Sequence, residues 1–534
     1  MPHPTKPPEN RPASVPIKPP DRPESLSTRA INKSRRILTR LFITPLYRLQ
    51  TRIRRLLPLV YTPRSPYADY RRGLLASVEP ALVDKAWQYD TLAYEQPAFL
   101  MICHDQQIDR RIVQQAQTLL ANGWRGKVVA LALAPQDQLE TFDGIELHRI
   151  GLHRIVSDCP AYWRYQWRQD KLLWLGRLSG PLSRLNWLLY KLDLTIIYTP
   201  SYRNYPLPFD RGFFAAARHY PASLVMAHDL PALKAAAQLA KAWGAKLVYD
   251  SHELYSEQKA FSASQRQLLD AREREYARDC DAIITVSDSF AKVMAEKDGV
   301  TQPHVILNVT DKRDIDTQNP PRIFHQLLKL PTEHKVILYQ GGIAHHRNLD
   351  NLVKGFVQVA SRHPDVHLVF LGPADPKIAA QLEAIASPLL NQSIHFIAPV
   401  GQAELLSYTT SADFGVIPYP PCDLNTKYCM PNKMFEYIQA CLPILANDLV
   451  EVGCVLTGIG GGGLITDLNT PAGVASGLER MLIRDLQGDR QKLFEVKDRY
   501  CWDYEAKRYL EIINAVVDSR SDENRSNESQ SNEG

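Results

Sequence analysis

Short apolar runs alternate with amphipathic stretches along the chain from about residue 94 to residue 517. The first unit consists of an apolar run at 98–103, a helical pattern that ends near Leu120, and a second apolar run at 127–133. Strand, helix and strand in this order are typical of α/β proteins with parallel sheets. Further apolar runs, which predict more buried strands, lie at 224–227, 246–249, 282–286, 304–307, 336–339, 366–371, 394–397 and 442–446. The pattern therefore predicts an α/β fold.

The chain is long enough for two domains of this kind. Its 534 residues are 45% hydrophobic and 23% charged, and a single domain usually has roughly 100–200 residues. The segment 310–331, which holds Asn319, Pro320 and Pro321, predicts a linker. We expect a Pro-rich leader and basic segment at 1–90, a first domain at 91–312, a second domain at 313–500, a last helix at 501–517 and a disordered polar tail at 518–534.

The N-terminal extension combines disorder-promoting composition with a basic amphipathic segment. The first 30 residues are rich in Pro, whereas nine Lys or Arg and no acidic residue lie between Arg29 and Arg55, beside apolar residues at helical spacing. Two interpretations are open: the segment binds an anionic membrane surface, or it packs as a helix on the protein's own surface. Nucleic acid is not expected as a partner, because no nucleic-acid motif accompanies the cations.

Cysteine usage and hydropathy predict a cytoplasmic location. The eight cysteines are dispersed without a C-x-x-C pair, which is typical of reduced thiols. The first 30 residues lack the apolar core of a signal peptide. The best candidate for a membrane span, 172–198, holds four charged residues and is too charged to cross a bilayer. If the basic segment binds lipid, we expect the protein at the cytoplasmic face of the membrane.

The stretch Phe414–Val450 predicts a binding site. It contains an apolar strand, a Pro-rich loop, a helix that begins near Pro431, and a second apolar run. Lys433 lies in the first turn of that helix, and Glu436 shares its face. A helix N-terminus with a lysine favours a phosphate, and a carboxylate can accept two hydrogen bonds from a ribose diol. The alternative is an exposed ion pair on the helix surface.

The motif PNKMFEY, followed by ACLPILA, resembles the nucleotide-sugar site of retaining family 4 glycosyltransferases of the GT-B fold. The resemblance implies two Rossmann-like domains that face a cleft. It also implies that Lys433 contacts the donor diphosphate, that Glu436 binds the ribose, and that transfer retains the anomeric configuration. Asn432, beside Lys433, is a further expected donor-binding residue. The family has a second glutamate eight positions before the ribose glutamate, where this chain has Tyr428.

The same resemblance assigns donor contacts to two loops of the second domain. The loop GGIAHHRN follows a predicted strand, and glycines allow a backbone to approach a phosphate. The family has two basic residues in this loop, and the matching positions here are Gly342 and Arg347, with Gly341 beside them. Pro399 and Val400 resemble the loop that contacts the base. A plain turn with solvated histidines is the alternative, and no metal site is expected, because no further ligand lies at metal spacing.

The first domain contributes histidines and carboxylates at predicted strand ends. VYDSHELYSE resembles the family strand whose histidine lies beside the donor sugar, which implies a catalytic role for His252. Further candidates for the cleft or the acceptor site are Asp105, Asp109, Arg111, His228, Asp229, Asp250 and Glu253. Helix capping by the aspartates and a structural role for the histidines are the alternatives.

These observations lead to the hypothesis of a glycosyltransferase that moves a sugar from a nucleotide-diphosphate donor to a saccharide or lipid-linked acceptor, in polysaccharide or glycoconjugate synthesis. Arg347, Lys433 and His252 are its expected catalytic residues. A Trp-rich segment at 148–205 predicts either core helices or an apolar ledge for a lipid-linked acceptor. The alternative function, suggested by Tyr428 and Gly342, is a catalytically silent nucleotide-sugar-binding module or a membrane scaffold.

Overall fold

The computed structural model describes residues 96–132, 137–151, 209–259, 261, 263–313, 316, 319–344, 346–387 and 389–531. Three sequence predictions lie outside these residues. They are the disordered leader, the basic segment Arg29–Arg55, and almost all of the Trp-rich segment.

An eight-stranded sheet forms the first domain, in the order β3-β4-β2-β1-β5-β6-β7-β8. Its strands are parallel except for the edge strand β3, which runs antiparallel to β4. The strands are β1 Ala98–Cys103, β2 Arg125–Leu131, β3 Gln138–Phe142, β4 Ile145–Ile150, β5 Leu224–His228, β6 Lys246–Ser251, β7 Ala282–Thr285 and β8 His304–Val305. The helices are α1 Arg110–Ala121, α2 Phe209–Ala217, α3 Leu230–Trp243, α4 Ala263–Ala277 and α5 Asp288–Asp298.

A six-stranded parallel sheet forms the second domain, in the order β11-β10-β9-β12-β13-β14. Its strands are β9 Lys335–Gln340, β10 Val366–Leu371, β11 Ile394–Ile397, β12 Phe414–Ile417, β13 Ile444–Ala446 and β14 Gly463–Ile465. The helices are α6 Ile323–Leu328, α7 Leu349–Ala360, α8 Pro376–Ala386, α9 Gln402–Thr410, α10 Leu424–Lys427, α11 Asn432–Gln439, α12 Val450–Ile459, α13 Pro471–Leu482, α14 Leu486–Val496 and α15 Trp502–Ser531.

The predicted α/β class is confirmed, because helices alternate with largely parallel strands and the central strands of both sheets are buried on two faces. Every residue of β1, β5, β10 and β12 is buried, as expected for parallel strands covered by helices on both sides. In each sheet the strand order reverses, between β1 and β5 in the first domain and between β9 and β12 in the second. Open α/β sheets bind ligands at the carboxyl ends of strands beside such a reversal. The topology therefore places a candidate site at the ends of these four strands.

The long C-terminal helix α15 contacts the first domain. The indole N–H of Trp502 donates a hydrogen bond to Thr118 of α1 at 2.9 Å, and the Tyr509 hydroxyl lies 3.2 Å from the sulfur of Met226 in β5. The helix continues through Ser531, so residues 518–531, which composition predicts as a disordered tail, are helical here. No Pro or Gly interrupts the sequence before Gly534, and a helix that is already nucleated gains one hydrogen bond with each added residue.

The sequence pattern predicts one helix over 471–486 and another over 271–278, and the bounds of both predictions were wrong. The helix expected at 471–486 is two helices, α13 and α14, because the side chain of Asp485 accepts a hydrogen bond from the N–H of Gly488 and starts a new helix. The helix expected at 271–278 begins earlier, at Ala263. Among the helices in the described part of the chain, none combines the length and the apolar character that a membrane span requires.

Candidate active-site cleft

A cleft of about 1000 Å³ opens where the carboxyl ends of the two sheets face each other. Both domains line it. The first domain contributes Gln107, His252 and Glu253, and the second contributes the loop after β9 and the N-terminal turn of α11. The domains also touch directly beside the cleft: the Asn425 side chain accepts a hydrogen bond from the N–H of Leu254 at 2.8 Å and donates one to its carbonyl at 3.0 Å.

Lys433 is buried in the wall of this cleft with an exposed fraction of 5%. Its ammonium nitrogen lies 3.7 Å from the ring centre of Tyr339 and 4.7 Å from that of Tyr419. No described residue accepts a hydrogen bond from this nitrogen. Burial lowers the pKa of Lys433 from its ordinary value. A buried cation without an acceptor is costly by itself, so the position is suited to an anionic ligand.

Arg347 supplies a second cation to the same wall. It is exposed to the cleft, and its guanidinium carbon lies 4.3 Å from the ring centre of Tyr419. Burial by itself would raise the pKa of Tyr419, but the neighbouring cations Lys433 and Arg347 outweigh burial and lower it. Two positive side chains therefore share one tyrosine ring.

The glycine loop after β9 lets its backbone pass close to Lys433. Gly341 has a φ of +111°, and a Cβ atom there would lie 3.5 Å from the ammonium nitrogen of Lys433. Gly372, with a φ of +148°, packs directly on Gly341, because a Cβ on Gly372 would lie 2.4 Å from the Gly341 carbonyl oxygen. Both positions require glycine. Gly342, the second predicted glycine, is exposed and is not among the residues that line the cleft.

Glu436 lies one turn further along α11 and has a partner from each domain. Arg110 of α1 donates to one carboxylate oxygen at 3.1 Å across the cleft, and Gln340 of β9 donates to the other. The Gln340 side chain is fixed in turn by the hydroxyl of Thr409. The predicted donor residues Asn432, Pro399 and Val400 also line the cleft, together with Lys433 and Glu436.

Arg111 is not a cleft residue, contrary to the sequence prediction. It is fully buried and pairs with Asp250 through two hydrogen bonds of 2.8 Å, while its third bond reaches the carbonyl oxygen of Ile306. Successive residues of a helix point in different directions, so Arg110 faces the cleft and Arg111 faces the sheet. Arg111 and the other neighbours of Asp250 hold the pKa of this carboxyl well below its usual range, against the effect of burial.

His252 lies between this buried pair and the cleft. Its ring nitrogens are 3.5 Å from Asp250 and 3.8 Å from Asp229, and its backbone N–H donates to Asp229 at 2.9 Å. Burial by itself would lower the pKa of His252, but Asp229 and Asp250 outweigh burial and raise it to about 10. A raised pKa favours the protonated imidazole, and His252 lines the cleft. Burial lowers the pKa of the neighbouring His228 instead.

His228, Asp250 and His252 also have the spacing of metal ligands. One ligand atom of each lies within 4.8 Å of the other two. The oxygens of Asp250 already accept hydrogen bonds from Arg111 and from Gln115, so a metal ion would have to displace a buried guanidinium. The chemistry of the donor set therefore favours a proton network over a metal, and the absence of a protein-bound metal stays a prediction.

Two protein-family models match the two domains of this chain. Residues 108–308 match the family model described as glycosyl transferase 4-like domain, and residues 334–484 match the model described as glycosyl transferases group 1. The two matches together cover more than half of the chain. This chain belongs to the family 4, group 1 glycosyltransferases. No curated protein sequence gives a match.

Solved structures show the same fold at low sequence identity. Sucrose-phosphate synthase from Thermosynechococcus elongatus superposes with a TM-score of 0.57 at 15% identity, over 79% of this chain and 100% of its own. Anabaena HepE, solved with UDP and glucose, superposes with a TM-score of 0.55 at 14% identity, and the match covers 79% of this chain and 100% of HepE. The UDP-forming trehalose-phosphate synthase of Burkholderia vietnamiensis superposes with a TM-score of 0.56 at 13% identity, and the match covers 80% of this chain and 99% of the synthase. The GT-B fold implied by the sequence motif is thereby confirmed.

The remaining predicted residues of this glycosyltransferase divide into cleft and supporting positions. Asp109 caps α1 by accepting a hydrogen bond from the N–H of Arg111 at 2.8 Å, as the capping alternative predicts. Asp105, His228 and Asp229 are not among the residues that line the cleft. Glu253 does line it, and burial raises the pKa of this carboxyl to about 7.

Sequence reasoning missed four residues that shape the site: Tyr339, Tyr419, Arg110 and Gln340. Tyr339, Gln340 and Tyr419 lie at or just after the carboxyl ends of β9 and β12, so the rule for ligand sites of parallel sheets could have found them.

Tyr428, which replaces the glutamate of the family motif, is not among the cleft-lining residues. Its carbonyl accepts a hydrogen bond from Ser287 of the first domain at 3.2 Å, so this position joins the two domains.

Proposed function

We propose that this glycosyltransferase takes its sugar from a nucleoside-diphosphate sugar. UDP-glucose is the first donor to test. One observation carries the proposal: the ammonium of Lys433 is buried in the cleft wall without a hydrogen-bond acceptor among the described residues. The diphosphate of a donor supplies the acceptor that this group lacks. The related fold of Anabaena HepE, solved with UDP-glucose, supports uridine as the base.

The chemistry follows from where charge develops. In the reaction the bond between the anomeric carbon and the diphosphate breaks, UDP leaves with the electron pair, and the acceptor oxygen forms the new bond and loses its proton. Negative charge grows on the leaving diphosphate, beside Lys433, Arg347 and the N-terminus of α11. Fixed cations at that place stabilise the transition state more than the ground state. His252 stands at the first-domain side of the cleft, where we place the donor sugar.

We further propose retention of the anomeric configuration, a saccharide or lipid-linked acceptor, and a role in polysaccharide or glycoconjugate synthesis. These proposals rest on the family and on the PNKMFEY motif. The decisive experiment incubates the purified protein with a panel of UDP-, GDP- and ADP-sugars and measures the release of the nucleoside diphosphate. Release from one donor, accelerated by an acceptor, is expected. A nucleotide that binds without release from any sugar would favour the catalytically silent module.

Glu436→Gln is expected to weaken UDP binding by about tenfold. The carboxylate can accept hydrogen bonds from both ribose hydroxyls, whereas an amide has one acceptor oxygen and would place its NH₂ group against a donor. It would also lose the ion pair with Arg110. Calorimetric titration with UDP measures the change, and 2′,3′-dideoxyuridine diphosphate is the matched control, since it has no diol to lose. If Glu436→Gln lowers the affinity for UDP and for the dideoxy analogue equally, Glu436 does not bind the ribose hydroxyls.

We propose that the basic segment Arg29–Arg55 holds the enzyme on an anionic membrane at the cytoplasmic face. Its nine cations without an acidic residue support this, because each cation is worth about 1 kcal/mol near an anionic surface. Deleting residues 1–60 should move the protein from anionic liposomes to the supernatant in a sedimentation assay, and raised salt should do the same to the full chain. Donor hydrolysis should survive the deletion. Liposome binding that persists without the segment would favour packing on the protein's own surface.

A further inference from the structure

Tyr419 lies between the two cations of the cleft wall and is itself buried, with an exposed fraction of 6%. The ring centre is 4.3 Å from the guanidinium carbon of Arg347 and 4.7 Å from the ammonium of Lys433. Tyr339 contacts the same ammonium at 3.7 Å. In the described part of the chain, neither cation forms an ion pair with a carboxylate. Aromatic faces, instead of acidic side chains, therefore hold the two positive groups.

The choice of partner matters for an anionic ligand. A carboxylate would fix the cations in place, but it would also neutralise them and compete with phosphate for their N–H groups. An aromatic face attracts a cation through its quadrupole and leaves the full charge and the N–H donors available. The loop after β9 has Gly342 where the family resemblance implies a basic residue. The cleft wall therefore has one cation fewer than the family pattern, and diphosphate binding depends more on how the remaining cations are placed.

We propose that Tyr419 is a positioning residue for the donor diphosphate. Its ring holds the side chains of Arg347 and Lys433 next to each other before the donor binds. The inference rests on the proposed nucleoside-diphosphate donor. The backbone that carries the ring is fixed on both sides: Asn447 donates a hydrogen bond to the carbonyl of Tyr419 at 2.9 Å, and Asn348 donates one to that of Pro418 at 3.0 Å. A ring held in this way orders two long side chains in advance and reduces the entropy that binding would otherwise cost.

The test compares Tyr419→Leu with Tyr419→Phe in titrations with UDP and with uridine. Leucine removes the aromatic face and should weaken UDP binding by about tenfold or more, while uridine, which has no phosphate, should bind within about twofold of wild type. Phenylalanine keeps the face and should restore UDP affinity to within about threefold. Tyr504→Leu is the matched control, since Tyr504 is 46% exposed on α15, and it should change neither affinity.

The two ligands separate a positioning role from simple packing. If Tyr419→Leu binds UDP as tightly as wild type, or loses UDP and uridine to the same extent, the inference is wrong. Circular dichroism checks the fold, and Tyr419→Met, whose longer and more flexible side chain adapts to the gap without a π face, replaces the leucine variant if that variant unfolds. A wild-type protein that does not bind UDP would instead contradict the uridine donor. The ratio of nucleoside diphosphate to nucleoside affinity, measured with the nucleotide that the donor panel identifies, would then decide the role of Tyr419.

Discussion

Lys433→Ala is expected to lower sugar transfer, or donor hydrolysis, by on the order of a hundredfold or more. The substitution removes a buried cation from the cleft wall where we propose that the diphosphate leaves. Because the charge on the leaving diphosphate is larger in the transition state than in the bound donor, turnover should fall more than UDP affinity does. Initial rates at saturating donor, combined with UDP titration, measure the two effects separately.

The stability of the same variants distinguishes a functional lysine from a structural one. Lys433→Met keeps the apolar stem and removes a buried charge for which no described residue provides a hydrogen-bond acceptor. Its unfolding midpoint should therefore be unchanged or higher than that of wild type. Lys354→Ala is the matched control, because Lys354 forms a surface pair with Asp350 on α7, and it should change neither rate nor stability. A Lys433→Ala enzyme with wild-type turnover would refute the role in catalysis.

Arg111→Leu is expected to destabilise the first domain by about 3–5 kcal/mol. It leaves Asp250 fully buried without its guanidinium partner and breaks the bond to the carbonyl of Ile306. Activity should fall as well, because Arg111 holds the carboxylate of Asp250 in place beside His252. The midpoint of urea unfolding, followed together with donor hydrolysis, measures both consequences.

The double variant Arg111→Leu/Asp250→Leu tests the cause of this destabilisation. If the cost comes from an uncompensated buried carboxylate, removing that carboxylate should recover part of the lost stability. The surface control is Arg362→Leu, since Arg362 is 57% exposed in its pair with Glu479, and surface pairs contribute at most about 1 kcal/mol. Additive losses in the double variant would show that Arg111 and Asp250 act independently.

The apolar pattern and the motif grouped the second-domain candidates on one wall of the cleft for a physical reason. Asn432 and Lys433 lie four and three residues before Glu436 on one helix, and residues at these spacings share a helix face by local periodicity alone. Arg347 and Gly341 follow β9 within one short loop and are predictable in the same way. The first domain was harder, because its candidates come from separate strands and a helix whose relative positions depend on the whole sheet.

Arg110 and Arg111 show what local sequence leaves open. Both are arginines at the start of α1, and only the packing of that helix on the sheet directs one toward Glu436 and the other toward Asp250. The partners are distant in sequence, so no pattern around residue 110 contains them. The same is true of Tyr428, whose contact with Ser287 depends on how the two domains meet.

The sequence by itself determined the α/β class, the strands that end at the cleft and the motif that holds Lys433 and Glu436, because hydrophobic periodicity and helix starts are local properties of the chain. Only the tertiary structure decided which charges are paired. It joined Arg111 to Asp250 inside the first domain, Arg110 to Glu436 across the cleft, and Lys433 to two tyrosine rings. The energy of a charge depends on its burial and its neighbours in space, and those are set when distant segments pack together.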